Sequence, residues 1–316
     1  MIISYTATEY DTGRKVYSIM RRELRVSAAL TRRLKTVGAI SVSGAPVFTD
    51  YRLTPGEIVN VDVGAAEPPC DNMPEHGELD VLFENEGLLA VNKPMGMLVH
   101  PSRSKNTGTL ANHVAGYLET GGSARYLTEE LSPRGTSHVV NRLDRDTSGV
   151  VLFAKNSYMK SLAVAALADT AALKEYLAIV SGEMPRGGVM DAPISRPDER
   201  NMLRVVSPDG QRAVTHYETV DVRGTTDGCA VSLVRLRLET GRTHQIRVHC
   251  LHSGHPVLGD KLYSTEDSRE LSGKLGITTQ ALHARRLGFT EPLSRQYMEI
   301  EAPPPPVFTA KFSLHF

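Results

Sequence analysis

Asn141-Arg142-Leu143-Asp144-Arg145-Asp146 gathers two carboxylates and two guanidiniums between the apolar pair Val139-Val140 and the run Val150-Val151-Leu152-Phe153-Ala154, which follows Thr147-Ser148-Gly149. A turn between buried strands is ordinarily made from Gly, Asn and Ser, so this density of charge asks for a use. Asp144 lies beside Arg142 and Arg145, and nearby positive charge favours an ionised carboxylate. Such a group can serve as nucleophile or general base, or it can close a purely structural ion-pair cluster. Other chemistries find less support. His244, His249, His252, His255 and His283 crowd towards the C-terminus, but none of them makes the HExxH spacing of a helical zinc site. Ser148 has Asp146 where the nucleophile turn needs its first glycine, and no GxxxxGK[ST] or GxGxxG phosphate loop occurs. The expectation is a reaction with no metal and no cofactor.

The elements that must position Asp144 are legible in outline. In residues 20–36 the apolar spacing predicts two short helices, with Ser27 capping the second and Gly38 stopping it. Two alternating segments follow, one broken by the turn Ser43-Gly44 and one opened by Pro55-Gly56. Residues 1–66 thus read as a small α+β unit, 67–78 as an acidic, proline-rich linker, and 79–316 as a second domain. In that domain a helix is expected over 157–168, capped by Asn156 or Ser157. KEYLAIVSG (174–182) and VSLVRLRLET (231–240) read as half-buried strands. After the second, Thr243 is placed to cap a helix that Gly254 ends, which puts Arg247 on its first turns. The terminal VFTAKFSLHF reads as a closing edge strand.

Composition narrows the class. The chain has 316 residues, 41% hydrophobic and 23% charged, enough for two well-buried cores and unlike a disordered chain. No apolar run is long enough to cross a bilayer, and the first twenty residues lack a secretory pattern, so a cytoplasmic protein is expected. Cys70, Cys229 and Cys250 are odd in number and far apart, as reduced thiols would be. The formal net charge is zero, but it is unevenly spread. Arg14, Lys15, Arg21, Arg22, Arg25, Arg32, Arg33 and Lys35 face only Glu23 over 14–35, whereas 67–86 carries acids and no Lys or Arg. That asymmetry reads either as an N-terminal face for a polyanion or as a solvated helix surface.

Taken together, NRLDRDTSGVVLFAKN resembles the catalytic signature of pseudouridine synthases of the RluA type, whose pattern is usually HRLDxxTSG. NKPMGMLVHPS (92–102), KEYLAIVSG, GQRAVTHY (210–217), GRTHQIRVHCLHSGHPVLGDKLY (241–263) and ALHARRLGF (281–289) are similar to that family's other blocks, in order. The likeness spans residues 79 to about 310. VSAALTRRLKTVGAISVSGAPV (26–47) is similar to the S4-like RNA-binding domain often attached to these enzymes, with Ser43-Gly44 where Asn-Gly is commoner. The resemblance implies an α+β fold, in which a mostly antiparallel mixed sheet is flanked by helices and loops. It implies isomerisation of uridine to pseudouridine in ribosomal or transfer RNA; a monomer is the default expectation. Asp144 then matches the essential aspartate, Tyr176 the tyrosine stacking on the base, and Arg247 the partner of the aspartate. RNA contacts are expected from Arg142, which matches an arginine entering the helix as the base leaves, and from Arg145, Arg242, His244, Gln245, Lys93 and His100. Arg32, Arg33 and Lys35 are expected to add contacts from the N-terminal unit. Asn141 stands where the family usually has histidine and is given no proton-transfer role. A non-catalytic RNA-binding factor and a nucleoside hydrolase are the rival readings.

Overall fold

A computed structural model describes residues 1–67, 72–102, 105–121, 137–198, 202–225 and 228–312. In the first unit, β1 (Ile2–Thr6), β2 (Ile40–Val42), β3 (Ala45–Pro46) and β4 (Ile58–Asp62) form an antiparallel sheet in the order β1-β4-β2-β3. Helices α1 (Val16–Arg22) and α2 (Ala28–Thr36) bury Val16, Ile19, Met20, Leu30 and Leu34 in the same core. Ser27 caps α2 as expected, its hydroxyl accepting from the Leu30 N–H at 3.1 Å. Ser43 (φ +46°) and Gly44 (φ +86°) both adopt the left-handed conformation that a two-residue hairpin loop needs.

The remaining strands are β5 (Val81–Glu84), β6 (Leu88–Lys93), β7 (His138–Val139), β8 (Ser148–Ala154), β9 (Leu173–Ser181), β10 (Gly187–Asp191), β11 (Ile194–Ser195), β12 (Val205–Val206), β13 (Val214–Gly224), β14 (Ala230–Leu238), β15 (Leu282–Thr290) and β16 (Tyr297–Glu301). Apart from the β11-β12 ribbon they make one ten-stranded sheet, ordered β10-β13-β14-β9-β15-β8-β6-β5, with β16 added beside β15 and β7 beside β8. Every pairing is antiparallel except β8 with β15. This is the expected α+β architecture. The helices are α3 (Leu110–Glu119), α4 (Ser157–Ala168), α5 (Gln245–His252), α6 (Glu266–Lys274) and α7 (Pro306–Lys311). Asn156 caps α4, accepting from the Met159 N–H at 2.8 Å.

Three local expectations change. β9 is not half-buried: it runs between β14 and β15, with Leu177 and Ile179 buried on one face and Ala178 and Val180 on the other. The C-terminal segment turns into α7, because Pro306 presets the first helical turn and a four-residue spacing buries both Phe308 and Phe312. Residues 313–316 of that expected strand lie outside the described residues. Thr243 is not the cap of α5; His244 is, in the left-handed region at φ +58°, with no side-chain cap bond.

The two units share a core. Val16, Ile19 and Leu34 cluster with Leu88, Ala90, Val150, Leu152, Tyr158 and Met159. Polar bonds cross the same seam: Tyr158 Oη donates to Leu24 O at 2.8 Å, and Arg33 Nη2 to Ser157 Oγ at 3.0 Å. The acidic stretch between the units is packed rather than loose wherever it is described. Glu67 accepts from the Ser157 N–H at 3.1 Å and pairs with His138, and Glu75 accepts from the Gly108 N–H at 2.8 Å. Asn72 Nδ2 donates to Ser137 Oγ at 3.1 Å.

Candidate active site

The charged stretch of 141–146 is the crossing from β7 to β8. Its first residue continues the ladder after the backbone leaves it: Asn141 Oδ1 accepts from the Leu152 N–H at 2.7 Å, and Nδ2 donates to Val150 O at 3.2 Å. The Asn141 amide therefore stands in for a peptide group, a structural duty. The turn closes through the Thr147 N–H, which bonds Asp144 O at 3.2 Å. Beneath it, Lys93 is fully buried and gives its three ammonium protons to Pro94 O, Met97 O and Arg145 O, each at 2.8 Å. Burial lowers its pKa to about 8, against the opposing pull of Asp146 and Asp144. Gly149 then enters β8 at φ +111°, where an added Cβ would lie 2.1 Å from Ala284 O. Only glycine permits the parallel approach of β8 to β15 there.

From the opposite side α5 delivers Arg247. Its Nη1 donates to Asp144 Oδ2 at 2.8 Å, while Nε and Nη2 fork onto Asp260 Oδ2 and Oδ1 at 2.6 and 2.8 Å. Asp260, itself buried, also accepts from the Leu262 and Tyr263 N–H groups at 2.8 and 3.0 Å. Burial works against the Arg247 cation. Bonds and charge from Asp260 and then Asp144 outweigh it and hold the guanidinium above its ordinary pKa. The Tyr263 ring lies under the guanidinium, with Arg247 Cζ 4.9 Å from its centroid.

His244 completes this wall. Its Nε2 is 3.8 Å from Asp144 Oδ1, and its Nδ1 is 2.9 Å from Tyr263 Oη. Tyr263 Oη already accepts from the Arg204 N–H at 2.8 Å, so its hydroxyl proton is available to Nδ1. That tautomer leaves the imidazole proton on Nε2, facing Asp144. Burial lowers the His244 pKa, with Asp144 opposing and Arg247 reinforcing the shift. Tyr176, on β9 opposite Ala284, belongs to the cluster that includes Ile246 of α5. Burial, and after it the Asp144 charge, raises its phenol above the ordinary value.

The structure thus brings Arg247 and His244 onto the Asp144 carboxylate, with Tyr176 near enough to feel its charge. Arg142, Arg145, Arg242 and His100 are exposed, as are Arg32 and Lys35 on α2. Three of the expected RNA-facing residues are turned inward. Lys93 braces the turn. Gln245 is buried, accepting from Thr240 Oγ1 and the Arg242 N–H and donating to Val214 O and Thr215 Oγ1. Arg33 crosses the inter-unit seam. Asp260 and Tyr263 were not singled out from sequence, although both lie in the block 241–263. A carboxylate in the otherwise apolar, glycine-bounded HPVLGD was the available signal. His249, His255 and His283 each bond a separate backbone carbonyl, of Ala192, Ser181 and Ala302.

A solved human structure, RNA Pseudouridylate Synthase Domain Containing 4, superimposes with a TM-score of 0.55 at 26% identity, over 73% of this chain and 90% of that one. The family model for RNA pseudouridylate synthase matches residues 87–252. An uncharacterised RNA pseudouridine synthase of Bacillus subtilis, YhcT, is 34% identical over 298 residues, covering 94% of this chain and 92% of that protein. Ribosomal large subunit pseudouridine synthase D of Zymomonas mobilis is 36% identical, covering 89% of this chain and 87% of that one. The chain belongs to the RNA pseudouridylate synthase family: it is an isomerase of uridine in RNA.

Proposed function

We propose that the protein converts uridine to pseudouridine in large-subunit ribosomal RNA, with Asp144 as the essential carboxylate, Arg247 as its fixed partner and Tyr176 as the residue that holds the base. The observation that carries this reading is the Arg247 fork. One guanidinium bonds Asp260 twice and Asp144 once, so the catalytic carboxylate is aimed by a group that cannot itself swing. The relative from Zymomonas supports the choice of RNA by its name.

In this scheme the bond from ribose C1′ to uracil N1 breaks, the base turns over in the pocket, C5 bonds to C1′, and the C5 proton leaves while N1 takes one up. Asp144 answers the electron deficiency at the sugar as N1 departs, either by bonding to C1′ or by stabilising a glycal-like intermediate. Tyr176, a neutral phenol, stacks on the detached ring and relays the C5 proton. Extruding the uridine costs a few kcal/mol. Phosphate contacts from Arg142 and Arg145 at the turn offset that cost without reading sequence. Residues 1–66 act as an S4-like RNA-binding domain through Arg32 and Lys35, which are exposed on α2, while 79–316 carries the chemistry. The protein works as a cytoplasmic monomer, in keeping with a ribosomal RNA substrate.

Asp144→Asn tests this directly. Tritium release from [5-³H]uridine-labelled large-subunit RNA should fall at least a thousandfold, with RNA affinity within a few-fold of wild type. Turnover surviving in that variant refutes the assignment, and free uracil as product reinstates the hydrolase.

A further inference from the structure

Beside the catalytic wall, β11, Arg204 just before β12, the turn after β12 and the residues leading to α5 line an open concavity of about 380 Å³, with Ser195, Arg196, Arg204, Asp209, Arg242 and Thr243 among its lining. Its chemistry is that of an anion site. Its lining carries three arginines, one aspartate and two hydroxyl-bearing residues. Two of the guanidiniums are already braced by backbone. Arg204 Nη1 donates to Met202 O and Leu203 O at 3.1 and 3.0 Å, and Arg242 Nε donates to Arg212 O at 3.0 Å. These bonds fix the planar forks while using only part of their donors, so less side-chain entropy is lost when an anion arrives.

The cavity is joined to the reaction centre by a short chain of bonds. The Arg204 N–H is held by Tyr263 Oη, Tyr263 by His244 Nδ1, and His244 Nε2 faces Asp144. Thr243, on the cavity wall, directly precedes His244. A ligand seated here therefore lies beside the nucleoside at Asp144 rather than at a remote surface. We propose that this cavity is a phosphodiester subsite, in which Arg204 and Arg242, with Arg196, clamp the RNA backbone next to the extruded uridine. Asp209 repels a second phosphate and suits a ribose 2′-hydroxyl, which can donate to it. The clamp resists recoil of the strand while the target base is out of the stack. This rests on the RNA-isomerase reading above and adds where the flanking backbone is held.

The test is the double variant Arg204→Gln/Arg242→Gln, with Arg204→Lys/Arg242→Lys as the form that keeps charge and loses the fork. A charge-matched control is Arg223→Gln/Arg269→Gln, at exposed arginines away from the cavity. Thermal melts establish that all are folded. Against labelled large-subunit RNA transcript, the Gln double variant should raise KM at least tenfold and leave kcat within about threefold. Its slope of log affinity against log salt should fall by about 1.4, at ~0.7 for each single-stranded phosphate that is no longer neutralised. The Lys pair should fall between, and the control should match wild type. Unchanged KM and slope in the Gln pair overturn the proposal, as does an equal effect in the control. Uridine 5′-monophosphate saturating the cavity without displacing RNA would assign it to a free nucleotide and also overturn it. The salt slope is a binding readout, so an absence of tritium release from wild type would refute the isomerase reading and leave the clamp separately testable.

Discussion

Asp260→Asn is the perturbation that most sharply examines how Asp144 is aimed. Asp260 Oδ1 accepts three bonds, from Arg247 Nη2 and from the Leu262 and Tyr263 N–H groups, and Oδ2 accepts the fourth from Arg247 Nε. An asparagine must put its NH₂ at one of these two places, and at either it meets donors. With the amide oxygen on the three-donor side, the NH₂ opposes Arg247 Nε. One charge-assisted bond, worth about 1.5–3 kcal/mol, disappears, and the buried guanidinium loses its main counter-charge. Breaking a buried pair in this way costs about 3–5 kcal/mol. The melting temperature should fall by on the order of 10 °C. Arg247 is then free to follow Asp144 instead of fixing it, so kcat should fall ten- to a hundredfold at temperatures where the variant is fully folded, with RNA affinity little changed. Thermal melts and tritium release on the same preparation give both numbers. A variant destabilised to this extent but with wild-type kcat would show that Asp260 serves folding alone, and the reasoning about a fixed aspartate would fall.

Three further outcomes follow from other parts of the structure. Tyr176→Phe keeps the stacking ring and removes the hydroxyl, so kcat should drop about a hundredfold with KM nearly unchanged, whereas Tyr176→Leu should also lose product retention; equal activity of wild type and the Phe variant would remove the proton relay. Gly149→Ala forces a Cβ against Ala284 O at φ +111° and should cost at least ~3 kcal/mol or prevent folding, checked by urea denaturation. His283, buried between Ser148 Oγ and Ala302 O, is lowered by burial to about 4. The unfolded chain therefore takes up that proton first as pH falls: its contribution is fully present above about 6.5 and is lost towards 4, about 3 kcal/mol in all. His283→Gln should flatten the stability profile across that window, and an unchanged slope would show that other groups set it.

What the sequence disclosed was residue type and order, and what it withheld was direction. Asp144 was legible as an acid among arginines between two strands, a pattern that a structural ion-pair cluster fits as well, and its pairing with Arg247 was implied only by the family resemblance. Lys93, Gln245 and Arg33 have polar ends that read as surface, yet buried carbonyls, a hydroxyl and the inter-unit seam take them inward. Period and length alone could not separate a strand from a short helix at VFTAKF, since alternation and a four-residue repeat both place Phe308 on an apolar face. The linker reading of 67–78 followed composition, whereas Glu67 and Glu75 find donors at the starts of α4 and α3, which composition does not show. Asp260 escaped notice because its meaning depends on Arg247 lying across from it in space.

The core shared by Leu34 of α2 and Leu152 of β8 makes the molecule a caliper. On the RNA-binding reading proposed above, a strand touching both Arg32 and Asp144 would have to bridge an interval set by the packing of α4, and choice among uridines would become a matter of length along the folded RNA. Changes at the packed seam at Tyr158 or Ser157 would then shift which nucleotide arrives while leaving the chemistry performed on it intact.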